Sequence, residues 1–171
     1  SKIMGNLVFL MMAPLGPLDW FGAYVIASIV RAALVATAML AVTLWFVKLP
    51  VQEPLRLIVM FLLASSSLAA LGLIAALVAQ KFDHIAAFTN FFIMPLSFLS
   101  GVFYSVHSLP EFWFQVSHLN PFFHMIDGFR YGFFGVSDVS VLNNLVWCTG
   151  FFMVVSAVCL WMLVTGYKMR R

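Results

Sequence analysis

The stretch HLNPFFHMIDGFRYGFFG, residues 118–135, and the residues just before it hold the side chains best suited to metal binding or proton transfer. These candidates are His107, Glu111, His118, His124 and Asp127. Zinc proteases carry two histidines four residues apart on one helix, as in HExxH, and no such pair occurs here. Asp127 and Arg130 have i,i+3 spacing, which predicts an ion pair on a helix surface. The spacing therefore predicts neither a metal site nor a catalytic site.

Motifs for nucleotide binding and acyl transfer are also missing from the sequence. It contains no GxxxxGK[ST] phosphate loop and no GxSxG elbow. The chain is therefore not predicted to be an enzyme or to hydrolyse ATP, and no cofactor is assigned to it. Its two cysteines, Cys148 and Cys159, would lie about 16 Å apart along one helix, which is too far for a disulfide.

Composition decides what kind of protein must position these residues. Hydrophobic residues make up 64% of the chain, charged residues make up 9%, and the mean hydropathy is +1.05. A soluble domain has about 45–50% apolar and about 25% charged residues. So little charge cannot cover a water-exposed surface. The sequence therefore predicts an all-α polytopic membrane protein, and the net charge of +3 indicates membrane orientation rather than nucleic-acid binding.

Four stretches are long and apolar enough to cross a bilayer, which takes about 20 helical residues. They are residues 20–47, 55–79, 85–106 and 141–166. The basic tail after the last of them, with Lys168, Arg170 and Arg171, is predicted to lie in the cytoplasm because positive charge favours that side. Both ends of the chain then lie in the cytoplasm and residues 107–140 lie outside. The inverted topology is the alternative.

Two of the predicted spans contain residues that are costly in a bilayer. Arg31 lies deep in the first, where a charge costs about 2.5–3.5 kcal/mol. One interpretation is structural: Arg31 bonds a neighbouring helix. The other is functional: Arg31 lines the transport path or couples helices to each other. In the third span Pro95 removes a backbone donor and predicts a kink, and a second break is expected at Gly101.

Residues 107–140 predict two short helices that do not cross the membrane. Pro110 and Glu111 suit the first turn of one helix, the Asn120–Pro121 pair breaks it, and glycines end the second. Aromatic residues such as Trp113 favour the membrane interface. The segment is therefore predicted to be a hairpin dipping into the outer interface.

The first 19 residues contain a short apolar run followed by the helix-breaking sequence APLGP. Two interpretations fit this pattern: the tail of an earlier transmembrane helix, or a short cytoplasmic helix and turn that docks on a partner. The docking candidates are Pro14, Leu15, Pro17 and Leu18. Because the chain starts without a methionine, an N-terminal portion is expected to be missing.

Two segments resemble the ABC-2 type transporter permeases, most closely their YadH-like and NodJ-like branch. LMMAPLGPLDWFGAYVIASIVRAAL is similar to the approach to that family's third helix, and residues 81–141 resemble its C-terminal signature. The residues that fit the signature are Pro95, Leu96, Ser100, Gly101, Phe103, Tyr104, Leu109, Pro110, Asn120, Pro121, Gly128, Arg130, Tyr131 and Gly132.

The resemblance implies a fold and a set of partners. Such permeases have six spans, of which these four would be the last four. Two copies pair, here most simply as a homodimer among membrane lipids, and each copy recruits an ATP-binding subunit that holds ATP and Mg. Residues 1–19 would contact that ATPase, and residues 107–140 would be a re-entrant hairpin that gates the exit. The implied gate residues are Pro110, Trp113, Asn120, Pro121, Asp127, Gly128, Arg130 and Tyr131.

The expected function is that of a permease subunit of an ATP-binding cassette exporter in the bacterial inner membrane. By alternating access it would move a lipid-linked, glycan or amphipathic, drug-like substrate outwards. The main alternative is an ATP-independent secondary transporter or channel, which would want several acidic or histidine residues inside the membrane. The spans offer Arg31 and three asparagines instead. A membrane-embedded enzyme and a purely structural subunit are the remaining alternatives.

Overall fold

The computed structural model describes residues 16–79, 82–100 and 111–165, and these ranges consist of helices joined by turns and short connectors. In chain order the elements are α1 (Pro17–Phe46), α2 (Pro54–Val78), α3 (Phe82–Phe88), a π-helical turn (Thr89–Ile93), α4 (Met94–Phe98), α5 (Glu111–Leu119), α6 (Pro121–Phe134) and α7 (Val141–Thr165).

Within the described ranges, three helices are long and apolar enough to cross a membrane: α1, α2 and α7. At about 1.5 Å rise per residue, 25 residues of helix extend about 38 Å, more than the hydrocarbon thickness of about 30 Å. These helices match three of the four predicted spans. The third predicted span, residues 85–106, runs through α3, the π-helical turn and α4, and its end lies outside the described residues. A fourth crossing therefore stays a prediction.

Helix α1 begins at a proline, whose missing N–H costs nothing in a first helical turn. The Asp19 carboxylate accepts a hydrogen bond from the Gly16 N–H at 2.9 Å, which fixes the helix start. Beyond this turn Arg31 is the one charged residue of an otherwise mostly apolar helix, and Val25 is its one residue buried against the rest of the described chain. A helix with apolar residues on every face suits lipid or neighbouring membrane helices.

Helices α2 and α7 pack along their length and form the core in two clusters. The first cluster consists of Met60, Ala64, Met125 and Cys148, which joins α2, α6 and α7. The second, toward the other end, consists of Leu73, Leu77, Cys159, Met162 and Leu163. Both cysteines are buried in this contact and are free thiols, as the spacing along one helix requires.

Regular α-helical bonding changes just before Pro95. The Met94 N–H donates to the Thr89 carbonyl, five residues back, which defines a π-helical turn. Proline has no N–H, and its ring crowds the carbonyl four residues earlier, so a wider turn ahead of it relieves the clash. The predicted disturbance of the third span thus lies at residues 89–95, and Gly101 lies outside the described residues.

The connector between α1 and α2 lies at the same end of the bundle as the C-terminal half of α6. The Glu53 N–H donates to the Gly132 carbonyl at 3.1 Å, and a Cβ at Gly135 would meet the Gln52 side chain. Residues 52–56 therefore contact the C-terminal half of α6. This contact places the α1–α2 connector and α6 on the same side of the spanning helices.

Candidate functional site

Helix α6 is the element that organises the site, and the sequence sets both of its ends. Asn120 caps it, its side-chain oxygen accepting from the Phe122 N–H at 3.0 Å, and Pro121 occupies the first helical position. Gly135 ends the helix in the left-handed conformation, with a φ of 69°, where a glycine carries no Cβ penalty. The Asn120 amide also donates to the Leu96 carbonyl at 2.7 Å, which ties α6 to α4.

The inner face of α6 is buried, and glycines let it approach α2 closely. A Cβ at Gly128 would overlap Met60, and a Cβ at Gly132 would lie 2.9 Å from the Leu57 Cβ. At the same contact the Arg56 guanidinium lies 5.0 Å from the Tyr131 ring centroid and donates to its hydroxyl at 2.6 Å. Helix α6 is therefore docked on α2 through this face, and the dip of the hairpin into the membrane interface stays a prediction.

Asp127 is fully buried, and several donors converge on its carboxylate. Oδ1 accepts from the Asp138 N–H at 2.9 Å. Oδ2 accepts from the Ser137 hydroxyl at 2.5 Å, the Asn144 amide at 2.8 Å and the Val139 N–H at 3.3 Å. A buried carboxylate needs such compensation because leaving water is expensive for a charge. This one residue therefore joins α6, the loop at 135–140 and α7.

His124 extends the same network one helical turn toward the start of α6. Its Nδ1 lies 2.8 Å from Asn144 Oδ1, and its Nε2 lies 2.8 Å from the His118 carbonyl oxygen. The imidazole is fully buried and stacks on Trp147, with 5.2 Å between ring centroids and 6° between ring planes. We call His124, Asp127 and Asn144 the buried polar cluster.

The predicted ion pair between Asp127 and Arg130 is present, with 3.8 Å between Asp127 Oδ1 and the Arg130 guanidinium, but it is not on the surface, because Asp127 is fully buried. Arg130 pairs more closely with Asp138, at 2.7 Å. The i,i+3 spacing brought the two residues near each other, but the loop after α6 folds back and supplies closer partners to both.

The other predicted site residues are dispersed. Arg31 lies near the middle of α1, is exposed, and has no hydrogen bond or ion pair to another described residue. Pro17 and Leu18 are exposed in the first turn of α1. Pro14, Leu15, Gly101 and Pro110 lie outside the described residues, as does the side chain of Trp113.

Sequence reasoning did not identify Ser137 or Asn144 as site residues, and it considered His124 only for metal binding or catalysis. A signal existed for Asn144 and for His124. Asn144 is a polar residue in an otherwise apolar span, where an amide needs an internal partner, and His124 lies three residues before Asp127 on one helix face. Among the described residues, no group of three or more His, Cys, Asp or Glu side chains could hold a metal ion.

A cleft of about 380 Å³ lies between α1 and α2 and extends to α6. Its walls are mostly small or apolar, and Tyr24, Ser28 and Ser65 add hydroxyl groups. Phe129 of α6 contributes to the same wall, so the cleft borders the helix that carries the buried polar cluster.

Replacing Asn120 by alanine should lower the free energy of unfolding by about 2–3 kcal/mol. The helix cap is worth about 1 kcal/mol, and the Leu96 carbonyl loses its donor, which costs about 1–3 kcal/mol if the carbonyl stays buried. Chemical denaturation of the detergent-solubilised protein measures the loss. Asn120→Asp is the comparison variant: it keeps the capping oxygen but places a carboxylate oxygen against the Leu96 carbonyl, so any loss it shows comes from that contact and not from the cap.

Three long apolar helices and a docked pair of short helices define a polytopic, all-α membrane protein. The family model described as ABC-2 type transporter matches residues 1–134. The chain therefore belongs to the ABC-2 type transporter family.

Individual relatives agree with this assignment. The inner membrane transport permease YadH of Escherichia coli K12 is 33% identical over 164 residues, which cover 96% of this chain and 64% of YadH. Nodulation protein J of Sinorhizobium fredii is 30% identical over 68% of this chain and 42% of its own length. The capsule polysaccharide export inner-membrane protein BexB of Haemophilus influenzae is 30% identical over 82% of this chain and 53% of its own length. The chain thus spans less than two thirds of these relatives.

Proposed function

We propose that the chain forms part of the permease subunit of an ATP-binding cassette exporter in the bacterial inner membrane. The observation that carries this proposal is the similarity to the permease YadH, which extends over 96% of the chain. Two further relatives are named for nodulation and for capsule polysaccharide export, which supports a lipid-linked or glycan cargo moved outwards. An apolar cleft with hydroxyl groups on its wall would suit such an amphipathic molecule.

The proposed topology has four spans, with both ends of the chain in the cytoplasm and the hairpin of α5 and α6 re-entrant on the outer side. The third span would run through α3, the π-helical turn and α4. Contacts of residues 52–56 with α6 support one part of this topology, because they require the connector after α1 and the hairpin to share a side. The hairpin would gate the exit of the transport path by moving against α2 and α7.

ATP and Mg would be held by a separate ATP-binding subunit, which would push on the segment before α1, and a second permease copy would complete the path. Leu18 is the described residue best placed for this contact, because it is 70% exposed at the start of α1, opposite the hairpin. Arg31, exposed halfway along α1, would face the second copy or the path.

Co-purification tests the proposal directly. The complete protein, extracted in mild detergent, should bring down an ATP-binding subunit whose hydrolysis rate responds to the permease. Leu18→Ser should weaken this co-purification at least tenfold, because an exposed apolar anchor in such a contact is worth about 2 kcal/mol. Leu142→Ser is the matched control, since Leu142 is 72% exposed at the opposite end of the bundle.

If no ATP-binding subunit accompanies the protein, the exporter proposal fails, and an ATP-independent carrier or channel becomes the working hypothesis. If the subunit is present but both leucine variants weaken it equally, the exporter proposal stands and the docking segment is wrong.

A further inference from the structure

Arg31 carries a charge within the first predicted span, and the predicted spans offer it no counter-charge. Its side chain is exposed and makes no hydrogen bond or ion pair to another described residue. Residues 20–47, 55–79, 85–106 and 141–166 contain neither Asp nor Glu. A second copy of the chain would therefore bring no carboxylate to Arg31 from these spans. An unpaired charge is costly in the hydrocarbon layer, and an anionic ligand removes that cost.

The packing of α1 on α2 places Arg31 about halfway along the spanning helices. Phe21 of α1 packs against Leu73 and Leu77, near the end of α2. Because a short connector makes the two helices antiparallel, the ten residues from Phe21 to Arg31, about 15 Å, bring Arg31 level with the middle of α2. The phosphate of a resident bilayer lipid lies outside the hydrocarbon layer, about 15 Å or more from its centre. That distance exceeds the length of an arginine side chain, so a head group meets Arg31 while it crosses the membrane.

Arg31 lies beside the cleft between α1 and α2. Tyr24, Ser28 and Ala32 form the α1 wall of this cleft, whose volume is about 380 Å³. Arg31 follows Ser28 by three residues and Tyr24 by seven, so all three lie on one side of α1 and Arg31 is at the rim of the cleft. Long side chains on a helix point back toward its N-terminus. The Arg31 guanidinium can therefore reach the region of the Tyr24 and Ser28 hydroxyl groups.

The chemistry of the cleft and of its rim fits an amphiphile that carries one anionic group. None of the described residues in the wall is charged, and Phe61, Leu68 and Ala69 make the α2 side largely apolar. Such a wall suits an acyl chain and offers little to a free phosphate ion. A guanidinium binds phosphate or carboxylate oxygens through two parallel hydrogen bonds, and the hydroxyls of Tyr24 and Ser28 can donate to the same oxygens.

We propose that Arg31 and the cleft form a mid-membrane binding site for an anionic lipid cargo. The oxyanion of the head group, a phosphate or a carboxylate, binds the Arg31 guanidinium, and an acyl chain occupies the cleft. This inference rests on the proposed function, because transport is what brings a head group to this depth. It adds that the cargo is negatively charged, and it assigns Arg31 to the transport path rather than to a contact with the second copy.

Photolabelling of the complete protein in neutral detergent tests the anion position without an ATPase. The probes are lysophosphatidic acid and a monoacylglycerol with the same photoreactive acyl chain, so they differ in the phosphate alone. The wild type should bind the phosphate probe at least tenfold more tightly, because charge-assisted hydrogen bonds contribute that much. Arg31→Gln should abolish this preference, and Arg31→Lys should keep part of it. Lys48→Gln is the matched control, because Lys48 is exposed beyond the end of α1. A preference that survives Arg31→Gln, or that Lys48→Gln abolishes equally, would overturn the proposal.

Filling the cleft tests where the acyl chain lies. Gly72 lines the cleft, and no described atom lies within 4 Å of a Cβ placed there, so Gly72→Leu should fold and should weaken binding of both probes at least tenfold. Gly150→Leu is the matched control, because its Cβ also meets no described atom and Gly150 does not line the cleft. Thermal unfolding of both variants checks that they are folded.

Equal binding by the two glycine variants would contradict the proposal, as would a wild type that neither probe labels along α1 and α2, the result expected if another membrane helix fills the cleft. Both results are read from binding alone. They are therefore distinct from the failure of an ATP-binding subunit to co-purify, which would overturn the exporter proposal.

Discussion

Asp127→Ala should lower the free energy of unfolding by about 3–5 kcal/mol, the cost of removing one member of a buried charged network. The carboxylate is fully buried and accepts hydrogen bonds from the Ser137 hydroxyl, the Asp138 N–H and the Asn144 amide. Alanine leaves these donors without an acceptor inside the protein. The loop at 135–140 would lose its attachment to α6.

Thermal or denaturant unfolding of the complete protein in nanodiscs measures this loss. Asp83→Ala is the control, because Asp83 is exposed in the first turn of α3 and its removal should change stability by about 0.5 kcal/mol or less. If Asp127→Ala is no more damaging than Asp83→Ala, the network does not hold the hairpin. A loss confined to hydrogen-exchange protection of residues 120–139, with the spanning helices unaffected, would show that the hairpin opens as a unit.

The three long helices could be predicted from the sequence because a bilayer imposes one simple requirement on a spanning segment. Backbone groups must bond within the segment and side chains must be apolar over about 20 residues. The observed bounds of α1, α2 and α7 differ from those predicted by at most three residues. The break at Asn120–Pro121 could also be predicted, because a capping side chain and a proline start a new helix without contacts from distant parts of the chain.

The buried polar cluster could not be predicted, because its members come from separate elements. Asn144 is 17 residues from Asp127 and 20 from His124 in the chain, and a turn of unpredictable geometry brings them together. The same limit applies to close helix contacts. Gly72 and Ala76 have the spacing for such a contact, yet among the described residues no atom lies within 4 Å of a Cβ placed at Gly72. Spacing does not tell which face of α2 meets α6.

Gly132→Val should lower the free energy of unfolding by about 3 kcal/mol, at the upper end of overpacking costs. A Cβ at this position would lie 2.9 Å from the Leu57 Cβ and 3.2 Å from its Cα. Those atoms belong to the backbone of α2 or are attached to it, so no side-chain rotation can make room. Helix α6 cannot withdraw either, because the Gly132 carbonyl accepts from the Glu53 N–H at 3.1 Å.

A graded series of glycine-to-alanine variants separates this contact from a general effect of losing glycine. Gly132→Ala should be the most damaging. Gly128→Ala should cost less, because the nearest atom is the terminal methyl of Met60, at the end of a flexible side chain. Gly150→Ala should be neutral or stabilising by up to about 1 kcal/mol, because no described atom lies nearby and alanine favours a helix. If all three behave alike, the α2–α6 contact does not restrict the size of these residues, and the proposed gating by the hairpin would not depend on it.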